Sequence, residues 1–226
     1  MYKTKYKSSG EIDRFKARLV AKGYKQNPSI DYFEVFAPVA RLDTIRMLIS
    51  LSAQNNWKIH QMDVKSAFLN DTLEEKVYVK QLAGYEVEGK EDKVYILKKA
   101  LYGLKQAPRA WYKKIDSYFV HNGFQRCSFE HTLYIKSVDP DSILIMCLYV
   151  DDLIFTDNNP KMIAEFRETM VKCFEMTDLG LMSYFLGIEV IQQNNGIFIS
   201  QKKYDADVLK NIKIENSKPI STPVEE

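Results

Sequence analysis

The run Ile143-Leu144-Ile145-Met146-Cys147-Leu148-Tyr149-Val150-Asp151-Asp152-Leu153-Ile154-Phe155 places two carboxylates between two strand-forming apolar segments. Residues 143–150 are apolar on both alternating faces. They predict a strand covered on both sides, with Leu153-Ile154-Phe155 as its return partner. The acids then fall at a hairpin tip, where Asp tolerates the left-handed backbone of a two-residue turn. Two like charges about 4 Å apart repel by roughly 4 kcal/mol at an effective dielectric of about 20, and apolar walls add desolvation. A bound divalent cation reverses the sign of that repulsion. The dipeptide alone carries no weight: with 15 Asp in 226 residues, about one Asp-Asp pair is expected by chance. A solvated tip without chemistry is the default unless a distant acid joins the pair.

Asp63 is that partner. Trp57 to Val64 alternates like a strand and ends in this carboxylate, and Lys65-Ser66-Ala67-Phe68-Leu69-Asn70 reads as a turn or short helix that keeps Phe68 nearby. Pro108 opens a helix with Trp111, Ile115, Tyr118 and Phe119 inward, stopped by Gly123. Thr132 to Ser137 and a turn at Asp139-Pro140-Asp141 lead into the central strand. Pro160 opens the next helix, with Ile163, Phe166 and Met170 inward and Phe174 near its end, and Tyr184 to Ile191 is a further strand. This is a β-α-β-β-α-β order, in which the two acid-bearing strands lie side by side and three carboxylates converge. Three cysteines and three histidines are scattered, without zinc or disulfide spacing, so the acids are the main metal-ligand candidates. A hard, oxygen-preferring ion such as Mg²⁺ follows, bound through few protein ligands with room for water and phosphates.

Around this centre, Tyr2 to Lys7 and Arg14 to Lys22 alternate apolar and basic residues about Ser8-Ser9-Gly10, which predicts a hairpin with its apolar side packed inward and its basic side shared. Residues 1–25 hold eight Lys/Arg against two acids, whereas the whole chain nets only +2. A solvated lysine face is the plain reading; a clamp for phosphates is the functional one. A helix runs from Asp43, as N-cap, to Asn55 with Ile45, Leu48, Ile49 and Ser52 inward. Short strands fall at Val77-Tyr78-Val79 and Val94 to Leu97. A turn at Asn195-Gly196 precedes a helix from Gln201 to Lys213 with Tyr204, Val208, Leu209 and Ile212 inward, and Pro219 and Pro223 mark an extended end. No apolar run reaches the roughly 18 residues of a membrane span, and the lysine-rich start lacks a signal-peptide core. A soluble intracellular protein without a membrane partner is expected.

In order along the chain, the segments Arg14–Tyr24, Phe36–Arg41, Gln61–Asn70, Ala100–Arg109, Leu148–Asp152 and Tyr184–Glu189 closely resemble the reverse transcriptase of copia-type long-terminal-repeat retrotransposons. The resemblance covers nearly the whole chain. It implies an α+β right-hand polymerase with a ferredoxin-like palm, a fingers subdomain and the start of a thumb. Fingers would comprise 1–56 and 71–104, palm 57–70 and 105–183, and 184–226 the primer-grip hairpin and beginning of the thumb. Asp63 and Asp151 look like the principal ligands of two Mg²⁺ ions, for which Mn²⁺ can substitute, with the Val64 carbonyl nearby and Asp152 completing the cluster. Phe68 stands where similar enzymes exclude a 2′-hydroxyl. Arg18, with Lys16 and Lys22 as helpers, looks like the contact to the dNTP triphosphate. Tyr102 and Gly103 lie at the nucleotide and template, Tyr149 and Val150 at the primer end, and Leu186 and Gly187 at the primer grip. For Phe68 and Tyr102, plain packing is the alternative.

The implied partners are an RNA or DNA template with primer, dNTPs, and other Pol polyprotein regions such as ribonuclease H and integrase. None of those further regions is recognisable, so the chain reads as a piece that begins inside the fingers and ends in the thumb. The implied location is the cytoplasm, within virus-like particles when the element is active, with the nucleus as a second site. Leu82, Cys127 and Glu130 depart from the family pattern away from the chemistry. Two rival readings are a retrotransposon remnant that binds nucleic acid or a partner without polymerising, and a metal-dependent nuclease or nucleotidyl cyclase. The latter fits the acids but not the surroundings of Phe68, Tyr102 and Leu186-Gly187.

Overall fold

The structure, a computed structural model, describes residues 1–6, 11–69, 71–139 and 142–218. Strands β1 (Tyr2–Tyr6) and β2 (Ile12–Ala17) precede helix α1 (Leu42–Asn55) and strand β3 (Ile59–Val64). Strands β4 (Tyr78–Lys80) and β5 (Val94–Ile96) precede helix α2 (Ala107–His121). Strands β6 (Gln125–Arg126), β7 (Leu133–Asp139), β8 (Ser142–Tyr149) and β9 (Asp152–Asp157) lead to helix α3 (Pro160–Phe174). Strands β10 (Met176–Leu181), β11 (Tyr184–Phe185), β12 (Ile188–Gln193) and β13 (Gly196–Ser200) lead to helix α4 (Lys202–Asn211). The expected turns at Ser8-Ser9-Gly10 and Pro140-Asp141, together with Asn70, Pro219 and Pro223, lie outside the described residues.

Six strands form one antiparallel sheet in the order β10-β3-β9-β8-β7-β6. The path β3-α2-β8-β9-α3-β10 is the expected β-α-β-β-α-β arrangement, with β7 and β6 extending one edge. Its fourth strand, however, is Met176–Leu181 and not Tyr184–Ile191. Asp178 and Gly180 obscure that strand in the sequence; a register shift between them shows why an edge position tolerates both. Tyr184–Ile191 is instead broken by Leu186 and Gly187, at φ 49° and 84°, into a hairpin of a separate three-stranded sheet, β11-β12-β13.

β8 is covered on both faces, as its composition requires. Leu144, Met146 and Leu148 join α2 and α3 in one core, around Trp111, Ile115, Phe119, Phe166 and Met170. Ile145 and Cys147 join a second core with Ile45, Leu48 and Ile49 of α1 and with Phe185, Ile188 and Val190. Each such side chain contributes about 1.5–3 kcal/mol by leaving water, so two cores clamp the middle of the sheet from both sides. The buried stripe of α1 is Ile45, Leu48, Ile49 and Ser52, as its spacing predicts. Asp43 does not cap this helix: Arg41 holds the N-cap position, and Asp43 lies in the first turn, where its charge suits the helix dipole.

Two peripheral expectations fail. The apolar side of the β1-β2 hairpin is not packed, with Tyr2 91% and Phe15 78% exposed. Likewise no residue of α4 is buried, and Tyr204, Val208, Leu209 and Ile212 are all exposed. Periodicity identified both elements, but a stripe buries only if another element lies against it.

Candidate active site

The acids meet where β3 ends and β8 turns into β9. Tyr149 pairs with Asp152 across the hairpin, so the two-residue loop is Val150-Asp151, and Asp152 already belongs to β9. This corrects the expected Asp-Asp tip by one residue. The left-handed position falls on Val150, at φ 57°, and not on an aspartate. A β-branched residue rarely adopts that conformation, so the surroundings must impose it. Val150 N–H donates to the Pro38 carbonyl (2.6 Å), and the Val150 carbonyl accepts from Trp111 Nε1–H (2.7 Å). Val64 N–H donates to the Asp151 carbonyl (2.9 Å). Three separate segments thus hold two consecutive loop residues.

Asp63 lies directly opposite Asp152 in the β3-β9 register, while the Val64–Asp151 bond draws Asp151 to the end of β3. Burial raises the Asp63 carboxyl above its ordinary range and the Asp151 charge raises it further; Lys16 and Arg18 oppose both. Burial pushes Asp152 up to about 6, against the pull of its hydrogen bond from Gln61 Nε2 (3.2 Å). Among the described residues no three His, Cys, Asp or Glu side chains are grouped to hold a metal. The charges of Asp151 and Asp63 also act on Asp152, which lies opposite Asp63 in the strand register and accepts from Gln61, so the three carboxylates lie close together at this end of the sheet. Two acids still fit Mg²⁺, which keeps several waters and takes one or two carboxylates plus substrate phosphates. The mutual repulsion of the pair is the physical reason for it to accept such a cation.

The basic side comes from the N-terminal hairpin. Lys3 pairs with Lys16 and Lys5 with Arg14, so register sets these four cations on one face. Lys3, Lys5, Lys16 and Arg18 line a shared depression. Arg18 turns its guanidinium over the Tyr102 ring, 4.7 Å from the centroid, and Tyr102 meets Phe68 edge-on at 5.3 Å. The Tyr102 hydroxyl is held above its usual range by burial, and the charges of Asp63 and Asp151 act on it in the same direction. Lys16, Arg18, Tyr102 and Phe68 therefore share one site with the acid pair. Phe68 also packs against two hydrophobic clusters.

Gly103 also has a structural part. Ala21 N–H donates to the Tyr102 carbonyl (2.7 Å). A Cβ on Gly103 would stand 2.3 Å from the Ala21 carbonyl oxygen, and one on Gly23 only 1.8 Å from the Gly103 oxygen. Two glycines thus let the backbone beyond the basic hairpin cross the Tyr102 turn. Lys22 immediately precedes the 3-10 turn Gly23–Lys25. Tyr149 is half-buried against Phe185, at 6.1 Å between ring centroids. Leu186 and Gly187 form the tip of the β11-β12 hairpin, where a Cβ on Gly187 would meet nothing within 4 Å.

Pro38, Gln61, Trp111 and Gly23 shape the site without having been assigned a role from sequence. Gln61 could have been found by alternation, since it shares a strand face with Asp63 two residues on. Trp111 reads only as core, because helical periodicity says nothing about where an indole N–H points.

The whole chain, residues 1–226, matches the family described as Reverse transcriptase (RNA-dependent DNA polymerase). It is 38% identical over 226 residues to the retrovirus-related Pol polyprotein from transposon TNT 1-94 of Nicotiana tabacum, covering 99% of this chain and 17% of that polyprotein. Against the retrovirus-related Pol polyprotein from transposon RE1 of Arabidopsis thaliana it is 38% identical over 224 residues, covering 99% and 15%. Against the putative transposon Ty5-1 protein of Saccharomyces cerevisiae it is 38% identical over 164 residues, covering 72% and 53%. The chain thus spans 15–17% of the length of these plant relatives. On the match across its full length, the chain belongs to the reverse transcriptase family, in the form carried by the Pol polyproteins of copia-type retrotransposons.

Proposed function

We propose that this chain is the RNA-directed DNA polymerase portion of a retrotransposon Pol polyprotein, extending a primer by nucleotidyl transfer. The primer 3′-hydroxyl attacks the α-phosphorus of a dNTP, the bond to the β-phosphate oxygen breaks, and pyrophosphate leaves. The observation that carries this reading is the meeting of Asp63 and Asp151 from distant segments, through the Val64–Asp151 bond, with the charges of Lys16 and Arg18 acting on Asp63. Asp63 and Asp151, with the Val64 carbonyl, would hold two Mg²⁺ ions, or Mn²⁺ in their place, which would supply charge neutralisation for phosphoryl transfer. Asp152 supports the pair without being a principal ligand.

The remaining residues bind and orient. Arg18 and Lys16 engage the triphosphate, because guanidinium and ammonium groups pair strongly with phosphate oxygens. Phe68, braced edge-on by Tyr102, presents a ring at the sugar, where a 2′-hydroxyl would meet carbon without a hydrogen-bond partner. Tyr149 and Val150 lie toward the primer end, and the open tip at Leu186-Gly187 admits the primer backbone. Under this reading residues 1–56 and 71–104 act as fingers, 57–70 and 105–183 as palm, and 184–226 as primer grip and start of the thumb. Template, primer and the ribonuclease H and integrase regions of a polyprotein are the partners, in cytoplasmic particles.

Primer extension on an RNA template tests this directly, comparing the chain with its Asp151→Asn variant at equal concentration and with Mg²⁺ present. Extension by the first and its loss in the second is expected. Equal incorporation by both rejects the site.

A further inference from the structure

We propose that Trp111 is a positioning residue, whose indole N–H holds the Val150-Asp151 turn in a conformation it would otherwise leave. The kinetic part of this inference rests on the polymerase reading above; the conformational part does not.

In an ordinary two-residue hairpin the flanking strands close the loop, and its outward peptide groups meet water. Here the Val150 N–H and carbonyl both bond to protein, to the Pro38 carbonyl and to Trp111 Nε1–H, and the Asp151 carbonyl accepts from Val64 N–H. Such tethering is what a valine at φ 57° requires, because its Cβ makes the left-handed region unfavourable. Of these tethers, the bond from Trp111 is the one made by a side chain, and hence the one that substitution can remove. The indole is itself fixed: Trp111 is 1% exposed and packs edge-on against Phe174 at 5.8 Å. It bonds to the carbonyl of the peptide that joins Val150 to Asp151. Rotation of that peptide would swing the Asp151 carboxylate relative to Asp63, and the indole N–H opposes that rotation.

This also accounts for a tryptophan in the middle of the buried stripe of α2, where Ile115 and Phe119 supply only bulk. A phenylalanine would fill most of the same space, but it would leave the Val150 carbonyl without a partner.

The test replaces Trp111 with β-(3-benzothienyl)alanine, whose ring matches indole in shape but carries sulfur in place of the N–H; Trp111→Phe serves as the ordinary variant. Each is made with Val150 and with Val150→Gly, since glycine accepts φ 57° without a Cβ clash. Loss of the N–H is expected to lower kcat for primer extension about ten-fold. KM for dNTP should stay within about two-fold, because ground-state binding is untouched. Val150→Gly should recover much of the lost kcat in the substituted chain. Unchanged kcat with benzothienylalanine, or the same fractional loss with valine and glycine at 150, overturns the proposal. If the unsubstituted chain extends no primer, the polymerase reading fails, and urea unfolding decides the clamp. Val150→Gly should then raise the midpoint more in the benzothienylalanine chain than in the unsubstituted one, and equal shifts overturn it.

Discussion

Asp63 and Asp151 are held by paired strands and a tethered turn within a six-stranded sheet, whereas Lys16 and Arg18 belong to a two-stranded hairpin whose apolar side is exposed. The acids have two cores beneath them; the hairpin has the Val20–Tyr102 bridge, the Ala21–Tyr102 bond and the Gly23–Gly103 crossing. This difference separates two kinds of work. Carboxylates that repel one another need rigid support, because either would rotate away if it could. Under the proposed function the cations receive a triphosphate, which asks for reach more than rigidity, since phosphate is bound through charge over a range of geometries.

The largest expected effect breaks the acid pair. Asp63→Asn and Asp151→Asn should each lower kcat/KM for primer extension by about 10³-fold, or about 4 kcal/mol, and the double variant should be little worse than either. Steady-state extension rates measure this; losses that multiply would mean that the two acids act independently. Arg18→Ala comes next, with KM for dNTP raised about ten-fold and kcat less affected. Arg18 also opposes the upward shift of Asp63, so its removal should move the acid limb of kcat/KM to higher pH, because Asp63 acts as the ionised form. An unmoved acid limb would show that the cation does not reach the acids.

The same contrast governs what the sequence discloses. The α1 stripe Ile45-Leu48-Ile49-Ser52 and the two-sided burial of β8 are local patterns fixed by a dense core, and both are legible directly. β10 is not, because Asp178 and Gly180 occupy an edge that hydrophobic alternation never had to fill. α4 and the apolar side of β1-β2 are legible as elements and misleading about burial. The sequence singles out Asp63 and Asp151 as neighbours, and the structure brings them together, but the turn between β8 and β9 lies one residue earlier than the Asp-Asp pair suggests. Aspartate is the better left-handed residue by intrinsic preference, and the tethers from Pro38 and Trp111 override that preference at Val150. Those tethers come from more than a hundred residues and about forty residues upstream, so no local pattern announces them.

Asp152 gives a smaller effect on stability. Its carboxyl is pushed up to about 6 by burial, above the roughly 3.9 of an unfolded chain, so the folded state binds this proton more tightly. Stability from this group is therefore greatest below pH 4, falls as pH rises to about 6, and is level above that. Asp152→Asn removes the fall and keeps an oxygen for Gln61. After allowance for solvent screening of a half-exposed group, a gain of about 1 kcal/mol at pH 8 and none at pH 4 is expected. Urea unfolding in a chelator measures it, and a gain independent of pH would point to another cause.

The smallest effect concerns the hairpin itself. Phe15 is 78% exposed and pairs with Thr4 across β1-β2, so Phe15→Thr preserves strand propensity while removing a ring that little protein covers. Its change in unfolding free energy should lie within about 0.5 kcal/mol. The matched change Ile154→Thr, at a fully buried position of β9, removes apolar volume and buries a hydroxyl, and should cost about 2–4 kcal/mol. If Phe15→Thr cost as much as Ile154→Thr, the hairpin would share the cores that support the acids, and reach could no longer explain why its cations stand apart. If the two costs separate as expected while Phe15→Thr leaves KM for dNTP unchanged, then Lys16 and Arg18 do their work from the basic face alone, independently of what lies on the other.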